Sequence, residues 1–201
     1  MTLRLNFSQL ANQLQELART HEESSLYTWP NQVNLHLKNT RLNHLYLPCG
    51  INCLLAKTTD DVRFSVSSFS DNNNALKMMF CLKGEFQHTI KLGSNSFRHL
   101  LKPVQAFMSS SMQGYTEQIV QTTGGEAYFL LLEVEMNCFS EYFQDHLEGD
   151  KRNLLKIFGQ KDNTMLFHLG NFTMSTAATI NQILSPAYDS VLPRYLYLHA
   201  K

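Results

Sequence analysis

Few residues in this sequence combine type and spacing in a way that points to chemistry, and His88 is the first of them. The stretch 76–92 alternates about Gly84. Consecutive strand residues point to opposite sides. On the first half Leu76, Met78, Phe80 and Leu82 therefore share a face, opposite Lys77, Met79, Cys81 and Lys83. On the second half Phe86, His88 and Ile90 share a face, opposite Glu85, Gln87, Thr89 and Lys91. Assigning the lysines and Glu85 to solvent places His88 inside, among Phe80, Phe86 and Ile90. An imidazole in that setting is either a core histidine satisfied by one hydrogen bond or the polar anchor of an apolar ligand pocket. The same alternation places Phe64 and Val66 inside, with Tyr128, Leu130, Leu132 and Val134, and leaves Phe129 and Leu131 outside with Glu133 and Glu135. An apolar outer face needs cover, which the late helices or a second subunit would supply.

Other reactive residue types do not assemble into a catalytic pattern. Cys49 and Cys53 are separated by three residues, with His44 just before them, but a structural zinc site takes four ligands, usually from two knuckles, and no second knuckle follows. Four cysteines (Cys49, Cys53, Cys81, Cys138) read as buried thiols rather than a disulfide framework. The segment Thr123-Gly124-Gly125 is a hairpin turn, since no helix follows it to cradle a phosphate. No Ser-His-Asp elbow or paired-carboxylate constellation is evident, and His99, following Gly93-Ser94-Asn95, reads as an exposed turn residue. Neither catalysis nor a bound metal or cofactor is expected.

Three kinds of element must position these residues. Residues 7–19 carry Phe7, Leu10, Leu14 and Leu17 at helical spacing, with Ser8 as cap, and predict an N-terminal helix or arm over 1–30. Trp29, beside Pro30, would be a lid or a wedge at the barrel end. From 31 to 136 the period is two, with strands expected at 33–37, 41–47, 52–56, 63–68, 76–83, 85–92, 105–109, 115–121 and 127–135. So many short strands between Gly, Asn, Asp and Pro turns predict a mainly β fold, an antiparallel β-barrel of jelly-roll type that hides its edges. From 137 to 201 the period returns to 3.6, with stripes at Phe139, Tyr142, Phe143 and Leu147 and at Ile180, Ile183 and Leu184. Either stripe is a candidate dimer surface, or else cover for Phe129 and Leu131. The last apolar pattern, from about Leu192, is still running at Lys201, so a continuation is expected there.

Composition narrows the partners. The chain has 201 residues, 43% of them hydrophobic, and no net charge. A domain that grips phosphates normally gathers an excess of Lys and Arg, so this segment is not expected to hold DNA itself. No run approaches a membrane span and the first residues lack signal-peptide features, which predicts a cytoplasmic protein.

The stretch Ile180-Asn181-Gln182-Ile183-Leu184-Ser185-Pro186-Ala187-Tyr188, then Arg194-Tyr195-Leu196-Tyr197-Leu198-His199-Ala200-Lys201, resembles the segment joining the sensing and DNA-binding domains of AraC-type transcription regulators, in the branch like the pyochelin regulator. It departs from that branch in having Ala187 between Pro186 and Tyr188, and His199 where an acidic residue is common. The resemblance implies a cupin-like effector-binding barrel, a helical dimerising region, and a helix-turn-helix domain after 201. It further implies a small aromatic effector, in that branch a ferric siderophore bound as an intact chelate. Such an effector would contact Trp29, Phe64, Val66, Met78, Phe80, Phe86, His88, Tyr128 and Leu130. The alternative is a metal-dependent enzyme of the cupin type. Such an enzyme resembles G-x5-H-x-H with a later Glu and a distant His, whereas this chain has the lone His88 at that place.

Overall fold

A computed structural model describes residues 2–6, 9–20, 24–29, 32–37, 40–58, 63–70, 75–110, 115–142 and 166–184. The mainly β expectation holds: the described chain is a two-sheet sandwich with few helices. The elements are β1 (Thr2–Asn6), α1 (Leu10–Thr20), β2 (Ser24–Trp29), β3 (Gln32–Leu37), β4 (Thr40–Leu47), β5 (Ile51–Thr58), β6 (Arg63–Ser70), β7 (Ala75–Lys83), β8 (Phe86–Leu92), β9 (Asn95–Leu101), β10 (Gln105–Ser110), β11 (Tyr115–Gln121), β12 (Ala127–Glu135), α2 (Met136–Tyr142), β13 (Phe167–Asn171) and α3 (Met174–Leu184). One sheet has five strands in the order β1-β6-β11-β8-β9; the other has eight, in the order β13-β10-β7-β12-β5-β4-β3-β2. Every pairing is antiparallel except β1 with β6.

Each of the nine expected strands is present, and four more lie outside them. β1, with Leu3 and Leu5 alternating inward, adds to the small sheet, and β2 forms a hairpin with β3. The strands described within 1–30 thus belong to the two sheets. Because the large sheet is wider than the small one, α1 completes the smaller layer: Leu10 and Leu14 are buried in the same core as Leu35, Leu37 and Leu42. β9 and β13 are the edge strands on the other side, and β13, from the stretch after 136, pairs with β10 in the large sheet.

The facing of β7 and β12 is the reverse of the sequence expectation. Met79 and Cys81 on β7, with Phe129 and Leu131 on β12, are buried between the sheets in the main core with Leu54, Ala56, Phe64 and Phe86. Phe80, Leu82, Tyr128, Leu130 and Leu132 face outward and pack with Leu55 beneath Ile180 of α3. Met78 lies on that outer face beside Leu76, Val134, Met136 and Phe139. The reversal centres on Lys77: alternation assigns it to solvent, but it is 2% exposed.

Candidate functional site

Burying Lys77 requires partners, because an unpaired ammonium in a protein interior costs several kcal/mol. They come from two other strands, β12 and β11. Lys77 on β7 lies directly opposite Glu133 on β12, and its Nζ is 3.6 Å from Glu133 Oε2. From the facing sheet Glu117 on β11 brings Oε2 to 3.6 Å from the same Nζ. The other oxygen of Glu117 accepts a hydrogen bond at 2.5 Å from His88 Nε2 on β8. Tyr115 packs its ring 5.1 Å from the Lys77 ammonium, and its hydroxyl is 3.3 Å from Ser109 Oγ on β10. A carboxylate, an imidazole, an ammonium and a phenol therefore meet between the sheets, joined by Glu117.

The two carboxylates are driven apart by their surroundings. Burial alone would raise Glu117, but the hydrogen bond and charge of His88 together with Lys77 outweigh it and hold the carboxyl below its ordinary range. Glu133 is raised: burial is the largest cause, Lys77 opposes it, and the Glu117 charge adds to it. Burial and the charge of Glu117 also push Tyr115 upward, keeping it a neutral hydrogen-bonding group.

One atom of this cluster lacks a match. His88 is fully buried, Nε2 is taken by Glu117, and Nδ1 has no hydrogen-bond partner. His88 lies in a column of rings. Phe107 stacks on it at 3.9 Å with an interplanar angle of 8°, Phe167 of β13 lies 5.9 Å away, and Phe167 stacks in turn on His99 at 4.3 Å. His99 is the cross-strand partner of His88 on β9, half-buried, not the turn residue expected. Burial, then the neighbouring His88, lower its proton affinity.

Of the residues expected to line a ligand pocket, Phe64, Val66, Phe86 and His88 face inward. Phe64 and Phe86 pack edge-on to Phe129 at 5.4 and 5.0 Å, in the apolar part of the core. Met78, Phe80, Tyr128 and Leu130 are on the outer face and are not brought to His88. Trp29 ends β2, and its side chain lies outside the described residues. Of the expected dimer stripes, Ile180 is buried against the outer face of this chain's own large sheet and Phe139 packs beside Met136. Phe143 and the side chains of Tyr142, Ile183 and Leu184 lie outside the described residues. Sequence reasoning missed Lys77, Glu117, Glu133, Tyr115, Phe107, Phe167 and His99.

Among the described residues, no second set of ligands lies beside the cysteines. His44 Nε2 bonds Asn52 at 2.6 Å, and burial pushes the Cys53 and Cys81 thiols up to about 12, leaving them unreactive. Among the described residues no three His, Cys, Asp or Glu side chains converge as a metal-binding group. Among the same residues, no helix is long and apolar enough to cross a membrane.

No family model matches the chain, and no curated protein matches it. Among solved structures, a vicilin from Corylus avellana (hazelnut) is similar at 10% identity and a TM-score of 0.40, over 83% of this chain and 56% of that one. A variant of Bacillus subtilis oxalate decarboxylase shares 14% identity at 0.40, over 67% of this chain and 36% of the other. An HTH_3 family transcriptional regulator from Vibrio cholerae shares 14% identity at 0.35, over 48% of this chain and 51% of that one. The chain thus spans about half the length, or less, of these structures. Likeness at this level adds nothing to the strand order already described.

Proposed function

We propose that this chain is the effector-sensing part of a cytoplasmic transcription regulator of the AraC type and is not an enzyme. Its small-molecule ligand binds between the sheets at His88, and binding is relayed to a helix-turn-helix domain beyond Lys201. The observation that carries the reading is the buried cluster of Lys77, Glu117 and His88 with the unmatched His88 Nδ1. Apolar residues of similar volume would stabilise such an interior as well or better, so a charged cluster kept there marks a site. The regulator class rests on the resemblance of 180–201 to the joining segment of that family, with dimerisation through the late helices as its corollary.

The test is a thermal-shift panel of aromatic small molecules, ferric siderophores among them. One member is expected to raise Tm by several degrees at saturating concentration, as a ligand at about 100 Kd adds roughly 2.7 kcal/mol. His88→Ala should abolish that response, and silence across the whole panel would sink the sensing reading. The competing reading, a metal-dependent enzyme of the cupin type, would be favoured by stoichiometric iron, manganese or zinc in the purified protein.

A further inference from the structure

We infer that the seam between β9 and β13 is a slot for a planar aromatic ligand bearing a hydroxyl, filled in this state by the chain's own Phe167. This rests on the sensing role proposed above and adds the ligand's class and the element it displaces. Strand pairing stops at β9 in one sheet and at β13 in the other, so side chains close the sandwich between these edges. The closing contact is the Phe167 ring, 4.3 Å from His99 at 16° and 5.9 Å from His88 at 24°. Phe167 therefore occupies the place where a flat ring would meet both imidazoles.

Phe167 fills that place without satisfying it. The carboxylate of Glu117 accepts from His88 Nε2, which leaves Nδ1 as the ring nitrogen with its hydrogen-bonding capacity unused. Nδ1 is buried with no partner, and a buried polar atom left unpaired is destabilising. The edge of a phenylalanine offers only carbon. A phenol or catechol would supply the same flat face together with a hydroxyl, which can donate to or accept from Nδ1.

β13 is suited to being displaced. It is an edge strand, and His168, Leu169 and Asn171 are exposed. It is held by the five-residue ladder to β10, by hydrogen bonds between Leu166 and Ser110 at one end and from the Phe172 amide to the Val104 carbonyl at the other, by the Phe167 ring, and by Phe172 packed edge-on to Phe80 at 5.7 Å. Thr173 then caps α3, accepting from the Thr176 amide at 3.1 Å, and Ile180 of that helix covers the outer face of the large sheet. A ligand that takes the Phe167 position thereby loosens the strand that leads into α3, and gains leverage through its different affinity for the closed and open seams.

The experiment compares catechol with toluene, a flat ring of similar size without donors, on the native chain and on Phe167→Ala. Removing the internal occupant should tighten catechol binding by about tenfold, because the ligand no longer competes with a filled slot. Catechol should be preferred to toluene, and adding His88→Phe should erase that preference. In the native chain, saturating catechol should speed hydrogen exchange at Leu169 and Gly170 while β8 and β11 amides stay protected. Equal or weaker catechol binding by Phe167→Ala overturns the inference, and so does equal binding of catechol and toluene, the mark of a plain apolar hole. Should Phe167→Ala not fold, Phe167→Leu keeps volume but not planarity and is expected to give the same order. If the native chain answers a panel ligand whose affinity Phe167→Ala leaves unchanged, the slot fails and the sensor stands. If only Phe167→Ala binds catechol and the native chain answers nothing, the sensor fails and the slot stands.

Discussion

The interior of the sandwich has two halves built on different rules, and the same strands serve both. Around Phe129 the contacts are apolar throughout: Phe64, Phe86, Met79, Leu54 and Leu131 fill the space between the sheets. Around Glu117 the contacts are charged, with Lys77, His88 and Glu133 answering one another. β7 gives Met79 to the first half and Lys77 to the second; β12 gives Phe129 to the first and Glu133 to the second. Apolar packing is lost in proportion to what is removed, whereas a charged cluster loses its balance when one member goes. The first half holds the fold together, and the second is where the interior has polar groups to offer a ligand.

Two substitutions expose that difference, the larger first. Phe129→Ala removes a fully buried ring from between Phe64 and Phe86 and should cost roughly 3–5 kcal/mol in urea unfolding, with no compensating second substitution that merely deletes a neighbour. Lys77→Met should cost about 3 kcal/mol, because it leaves Glu117 buried without its cation, while Glu133, 27% exposed, can turn toward water. Adding Glu117→Leu and His88→Phe to Lys77→Met should recover most of that loss, since apolar residues of similar volume replace buried ions at little or no cost. A Lys77→Met cost within about 0.5 kcal/mol, the level of a surface change, would show that the two halves do not differ.

The same contrast explains what the sequence made legible. Strand existence followed from alternation and turn residues across 33–135, and facing was right on β6 and β8, where apolar and polar residues alternate cleanly. β12 is apolar on both faces, because α3 covers the outside, so its own pattern leaves facing undecided. The decision was borrowed from β7, where Lys77 and Lys83 share a face. Lys83 does reach solvent, at the strand end beside Glu126, but Lys77 is held inside by two carboxylates from other strands, a long-range pairing that no local pattern encodes. Glu117 was within reach: Tyr115, Glu117, Ile119 and Gln121 alternate with Thr116 and Gln118, and all four are buried. The edge strands β9 and β13 escaped notice because edges carry little burial, and with them went the stacking of His99 on Phe167.

The smallest expected effects are in pH, and they differ in sign within the charged half. Glu117 lies below its ordinary range, so its contribution is present above the usual carboxylate range and is lost as pH falls through the depressed value. His44 is lowered from 6.5, chiefly by burial against the weaker pull of Asn52, so folding also loses stability as pH falls below that value. Glu133 is raised: the folded chain keeps its proton where the unfolded chain has released it, so its contribution is present in acid and is lost as pH rises through the raised value. On acidification from neutrality, Glu133 thus offsets part of what His44 gives up, before Glu117 begins to titrate. Glu133→Gln should remove the offset and move the onset of acid destabilisation to higher pH, while His44→Leu should move it lower. Urea midpoints between about pH 3 and 7 read both shifts, and a Glu133→Gln profile parallel to that of the native chain would mean that Glu133 does not take part in the charged half at all.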